Sequence, residues 1–187
     1  MRRKDREMDR EFGFKVIDKA RYGVLSMVDG EGGPYGVPLS IVRLGDNLYF
    51  HSAKEGRKIE ILGKSKRVSV AFVGEVNVPE NYTHEELDEI TRDPSKAVVL
   101  ISSVFTTEYE SAIVAGEVKE VSSDEEKTVA LEAICKKYVP SMMEYFPLAV
   151  EAGMPRTSVF KVEIEEVTAK RKKYDSSGQE MKWGRME

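Results

Sequence analysis

The chain has 187 residues, 41% of them hydrophobic and 33% charged, with 29 Lys and Arg against 33 Asp and Glu. This apolar share excludes wholesale disorder, and a formal net charge of −4 gives no overall attraction to nucleic acid. The longest unbroken apolar run, Ala97 to Ile101, is far short of the ~20 residues of a membrane helix.

The basic start, Met1-Arg2-Arg3-Lys4-Asp5, is not followed by the apolar stretch of a secretory leader, so a cytoplasmic location is expected. Residues 1–10 read as a basic, loosely held N-terminal arm. Phe12, Val16, Ile17 and Ala20 then fall at helical spacing. Tyr22 to Val28 alternates as a strand, Asp29 to Pro34 makes a turn, and Tyr35 to Leu44 is a second extended run. After Gly45-Asp46-Asn47, Leu48 to His51 is a third; turns this short join antiparallel strands.

Ser52 and Glu55 stand at capping-box spacing and open an expected helix that Gly63 stops. Arg67 to Val73 alternates again. Residues 77–103 read as an insertion, with a short acidic helix between the Thr83/Glu86 capping box and Pro94. Thr106 to Val121 is a long strand bent near Gly116. Ser123 and Glu126 open a helix with Leu131, Ile134, Cys135 and Tyr138 on one stripe, ended by Pro140. Met142 to Ala152 holds a further helix, Ser158 to Thr168 is a half-exposed strand, and 170–187 is a polar C-terminal tail. One domain, 1–187, is the expectation. Six antiparallel strands with helices at the crossovers have edges to hide, and closing into a barrel removes them. The expected fold is mainly β with peripheral α-helices, a six-stranded antiparallel split barrel.

Chemistry concentrates after the third strand. The helix start beyond Leu48-Tyr49-Phe50-His51-Ser52-Ala53 offers backbone N–H groups and a dipole to an anion. Ser52 adds a hydroxyl, and Arg57 and Lys58 add positive charge. From spacing alone, a plain cap with two solvated basic residues is the alternative. Pro38 breaks the second strand, leaving backbone groups for a planar ligand, or simply marks a sheet edge. Tyr109-Glu110-Ser111 opens the long strand with polar groups that face a ligand, a partner or water. His51 caps its strand, meets a phosphate or packs. Cys135 belongs to an apolar stripe and reads as core, not nucleophile. Two histidines and one cysteine cannot form a zinc cluster of the usual kind, so no metal is expected. No third group in the sequence orients His51, so a Ser-His-acid triad is not supported, and the sequence carries no phosphate-binding Gly loop or dinucleotide fingerprint.

Together, Tyr35-Gly36-Val37-Pro38-Leu39, the run from Leu48 through Gly56-Arg57-Lys58, Tyr109-Glu110-Ser111-Ala112 and Phe160 to Thr168 resemble a known family. It is the FMN-binding split-barrel proteins related to pyridoxamine 5′-phosphate oxidase, in particular the nitroimidazole-resistance branch. The resemblance implies a homodimer with FMN in a groove at the interface. By position, His51, Ser52, Arg57 and Lys58 would hold the FMN phosphate, with Ala53 also in the cofactor site. The backbone of Val37, Pro38 and Leu39 would line the isoalloxazine ring, and Tyr109 and Ser111 would approach from the second subunit. The implied activity is oxidoreduction of a small molecule, nitroreductase-like or related to pyridoxamine phosphate oxidation, with no catalytic acid or base assigned. A non-catalytic flavin- or haem-binding protein is the alternative, and a deazaflavin-dependent enzyme a third. Val104-Phe105-Thr106 stands where the resistance branch often carries a cysteine. Lys182-Trp183-Gly184-Arg185 does not match the Arg-rich substrate motif of the true oxidases.

Overall fold

Asp29 makes the first hairpin. Its Oδ1 accepts from the backbone N–H groups of Glu31 (3.0 Å) and Gly33 (2.7 Å), reversing the chain between β2 (Gly23–Val28) and β3 (Pro34–Leu39). A computed structural model describes residues 2–182. The other strands are β1 (Glu7–Met8), β4 (Val42–Leu44), β5 (Asn47–Ala53), β6 (Arg67–Asn77), β7 (Glu108–Glu120) and β8 (Thr157–Lys172). All pairings are antiparallel, in the order β3-β2-β6-β7-β8-β5-β4, with β1 added on β8.

The two ends of that order, β3 and β4, are neighbours in the chain, separated only by Ser40 and Ile41. The sheet must therefore roll until its ends meet at this corner. No ladder joins β3 to β4, so the expected split barrel forms without the full closure anticipated for it. Among the described residues the strand count is eight, because the expected second run divides at the corner and β1 is added.

At the corner, buried Ile41 donates its N–H to the Tyr138 hydroxyl (2.9 Å), which donates in turn to the Ile41 carbonyl (3.0 Å). Lys137 Nζ adds bonds to the carbonyls of Ile41 (3.0 Å) and Ile17 (3.1 Å). A strand break in the interior is thus satisfied by side chains from α4 (Asp124–Tyr138).

The main core lies inside the roll, with Leu25, Phe50, Val70, Phe72, Val114 and Val162 from the strands. Val16 and Ile17 of α1 (Arg10–Lys19) and Ile61 and Leu62 of α2 (Arg57–Lys64) cover it. A second cluster packs Ala130 and Ile134 of α4 on Val42, Tyr49 and Val159. The expected bend near Gly116 is present: Gly116 pairs with Ile164 while Ala115 pairs with Glu166, leaving Glu165 as a bulge. A Cβ at Gly116 would lie 2.1 Å from the Glu163 carbonyl oxygen, so only glycine fits there.

Several expectations change. Ser52 caps no helix: it lies in β5, paired with Ser158, and α2 begins at Arg57 behind Gly56. Pairing to β8 extends the strand past the capping-box spacing, and α2 runs through Gly63 to Lys64. The N-terminal arm is not loose. Glu7 and Met8 pair with Lys170 and Ala169, and Arg6 bonds Glu180. The C-terminal stretch is likewise held as far as Met181, whose N–H donates to the Lys173 carbonyl (2.8 Å). Trp183, Gly184 and Arg185 lie outside the described residues. In the insertion, the acidic helix α3 (His84–Thr91) carries its full Thr83/Glu86 capping box as expected.

Replacing Tyr138 by Phe removes the hydroxyl that serves both backbone groups of Ile41. Urea unfolding of Tyr138→Phe is expected to show a loss of about 1–3 kcal/mol, the usual cost of a buried backbone group left without its partner.

Candidate functional site

Alternation along β5 sorts its side chains onto two faces. Phe50 and Ser52 point into the barrel, while Tyr49 and His51 point out toward α4. The residues expected at a phosphate therefore divide. Ser52 is buried on the inner face, and Lys58 Nζ lies on that side, 5.8 Å from the Phe50 ring centroid. Burial lowers the Lys58 pKa from its ordinary 10.5, and Lys58 has no ion pair among the described residues.

Arg57, the first residue of α2, is exposed, stacks 4.9 Å from the Tyr35 ring centroid and reaches Asp29 at 3.4 Å. The residue before it, Gly56, has φ of 111° and supplies no side-chain cap. The Gly56 carbonyl accepts from Ile59 and Glu60, so the N–H groups of Arg57 and Lys58 head the helix without intrahelical acceptors. An uncapped helix start is thus flanked by two cationic side chains, Arg57 beside β3 and Lys58 over Phe50 of β5. Ala53, exposed, ends β5 opposite Thr157.

On β3, Val37 and Leu39 pack inward with Tyr35, and Pro38 faces outward on a sheet edge, as a proline in a strand must. Pro38 starts a row of directly paired residues across four strands: Pro38, Val24, Ala71 and Ile113. Ser111 and Tyr109 share this outer face with Ile113, opposite Val73 and Val76. Val24, Val73, Val76 and Ile113 are all exposed, an apolar sheet face turned to solvent. Within one chain Tyr109 and Ser111 do not join Ser52 and Lys58. They pair with Lys172 and Lys170, whereas Ser52 pairs with Ser158. Those two ends of β8 are separated by roughly 40 Å of strand at about 3.3 Å per residue.

His51 borders an apolar cavity of about 190 Å³ with Leu131, Ile134, Cys135, Phe146 and Val150. Desolvation there, and secondarily the Lys58 charge, lower its pKa below 6.5. Cys135 lies on this wall, half-buried, and burial pushes its thiol up, away from nucleophilic character. Behind His51, Tyr49 donates to Glu126 (2.8 Å), which also pairs with Lys161 (3.1 Å) and fixes α4 to the sheet. Burial, then the Glu126 bond, push the Tyr49 phenol up to about 12. Asp29, Tyr35, Phe50 and the α4–α5 wall (α5, Phe146–Gly153) were placed by the sequence reading only as turn, strand and helix residues, because each contact that brings them to the site joins residues far apart in the chain.

A family model described as pyridoxamine 5′-phosphate oxidase matches residues 9–171. No curated protein matches the chain. Among solved structures, a Bacteroides thetaiotaomicron protein named for 5-nitroimidazole antibiotic resistance is 25% identical, with TM-score 0.66 over 88% of this chain and 86% of that one. A FAD-binding protein from Mesorhizobium loti is 20% identical, with TM-score 0.57 over 89% and 96%. A FAD- and haem-binding protein from Mycobacterium smegmatis is 17% identical, with TM-score 0.66 over 89% and 73%. These last two share the fold.

A depressed His51 pKa favours the neutral imidazole in the folded state. Its contribution to stability is present in full above about pH 6.5 and is lost as pH falls through the lower folded value. Imidazole titration by NMR is expected to give a value below 6.5 that moves only part of the way back in Lys58→Met, since burial is the larger cause.

Proposed function

The chain belongs to the pyridoxamine 5′-phosphate oxidase family, and on that premise we propose that it is a cytoplasmic, homodimeric FMN-binding oxidoreductase acting on a small molecule. One observation carries the reading: the uncapped start of α2 with Arg57, and Lys58 held half-buried against its charge with no ion pair among the described residues. A dianionic phosphate supplies the partner that this arrangement lacks. Lys58 neutralises one charge, the N–H groups of Arg57 and Lys58 donate to oxygens, and Ser52 offers a hydroxyl from the inner face. Arg57, already stacked on Tyr35, gives a second cation at the rim.

FMN, when bound, supplies hydride or electron transfer; the chain supplies binding, orientation and electrostatics. The outward Pro38 and the backbone of Val37 and Leu39 form the edge available to a flat ring. Tyr109 and Ser111, at the far end of β8 and ringed by exposed valines and Ile113, suit the site of a second chain. The apolar sheet face around them is the surface such a dimer would bury. Burying it also keeps water from the ring.

A non-catalytic flavin or haem carrier is the second reading, favoured by the neutral His51 imidazole on an apolar wall. Colour and turnover separate the two. An enzyme is expected to show flavin absorbance that a reduced nicotinamide donor bleaches and an acceptor restores. Stable flavin without turnover, or a Soret band abolished in His51→Ala, supports the carrier. In a fluorescence titration, Lys58→Ala is expected to weaken FMN binding by ~1.5–3 kcal/mol and Ser52→Ala by ~0.5–1.5 kcal/mol. Unchanged affinity in both variants removes the phosphate clamp.

A further inference from the structure

Arg171 lies near the end of β8, against the first turn of α1, with its guanidinium 5.5 Å from the Phe12 ring centroid. Its Nε and Nη2 are shut off from solvent and have no hydrogen-bond partner among the described residues, where no other buried side-chain nitrogen or oxygen is left so. A buried cation without acceptors is unfavourable. Those two atoms form the edge of a guanidinium that fits a carboxylate. The same edge holds Asp5 at Arg3 (Nε to Oδ1, 2.8 Å) and Asp18 at Arg43 (3.0 Å). Elsewhere in this chain, then, a carboxylate is what satisfies it.

Glu110 pairs directly with Arg171 across β7 and β8, yet it does not take that place. Its carboxylate leans toward β6, where Oε2 would lie 3.2 Å from a Cβ at Gly74. Both residues line a cavity of about 220 Å³ at this end of the barrel. Arg171 and Lys173 make its β8 side positive, and Glu75 and Glu110 make its β6–β7 side negative. The other charged groups there are already engaged. Glu108 accepts from Asn77 Nδ2 (3.0 Å) and from the Tyr174 N–H (2.7 Å), and Lys172 bonds Thr106. Glu75 and Glu110 carry no ion pair among the described residues.

We propose that this cavity binds a small zwitterion of the α-amino acid type, its carboxylate on the Arg171 fork and its ammonium on Glu110. A lone anion entering here meets two unpaired carboxylates, and a lone cation meets Arg171 and Lys173. A molecule carrying both charges satisfies both sides. The volume lies below that of pockets for drug-sized ligands and suits a compact molecule. Turning the fork from Phe12 into the cavity exchanges one cation–π contact for two charge-assisted hydrogen bonds, the stronger interaction. The site is formed by one chain, at the end of β8 away from Ser52, and uses no residue assigned to the flavin phosphate.

Isothermal titration of the full chain with L-alanine tests this, with propionate and ethylammonium as probes that each lack one of its charges. L-alanine is expected to bind saturably, and each single-charge probe about 10-fold or more weakly. Arg171→Met is expected to abolish L-alanine binding and Glu110→Gln to weaken it, with thermal melting showing that both variants fold. Should Arg171→Met not fold, Arg171→Lys keeps the charge but loses the fork, and is expected to show the same loss. Propionate binding as well as L-alanine, or L-alanine binding unchanged by the Arg171 variants, overturns the proposal. So does a wild-type chain that binds no L-alanine while Arg171 and Glu110 prove coupled in a double-mutant cycle of stability. That result makes them a strand-to-strand ion pair.

Discussion

The corner at Ser40–Ile41 constrains everything else in this molecule. It ties the first and last strands of the sheet together in sequence, so the sheet cannot lie open without breaking the chain. No ladder joins β3 to β4 there, and the break leaves the backbone groups of Ile41 without strand partners. Tyr138 and Lys137 supply the missing partners at Ile41, and the same helix, α4, walls the cavity beside His51. The corner, the roll of the sheet and the position of the candidate site are thus one arrangement.

The roll explains why the two basic residues of α2 matter. Ile61 and Leu62 anchor that short helix in the main core, while at its opposite end Arg57 reaches Tyr35 of β3 and the turn at Asp29 and Lys58 lies over Phe50 of β5. An apolar stripe thereby positions a polar helix start. Holding Lys58 half-buried with no ion pair among the described residues is unfavourable in isolation. That is the kind of local cost a binding site carries and an ordinary surface does not.

The strand-rich order, the bend at Gly116, the acidic helix in the insertion and the edge position of Pro38 were all legible in the chain. Each depends on residues within a few positions of one another: alternation, a capping pair, a missing side chain, a missing N–H. The Ser52–Glu55 spacing was misleading for the same reason. Its local pattern fits a helix cap, but pairing of Ser52 with Ser158, more than a hundred residues away, holds it in a strand. The N-terminal arm was misread likewise, since its hold on the sheet comes from Lys170, Ala169 and Glu180.

By itself the sequence determined the class of fold, through composition, period and short-range chemistry, which act before the chain folds back on itself. It also carried the resemblance of motifs by which the family is known, and it set Arg57 and Lys58 side by side where a helix begins. Only the tertiary structure decided that His51 and Ser52 serve opposite faces of one strand, that Tyr109 and Ser111 stand at the far end of β8, and that α5 lies uncovered. Those depend on long-range pairing and on the direction of the roll, and no short window of residues encodes either.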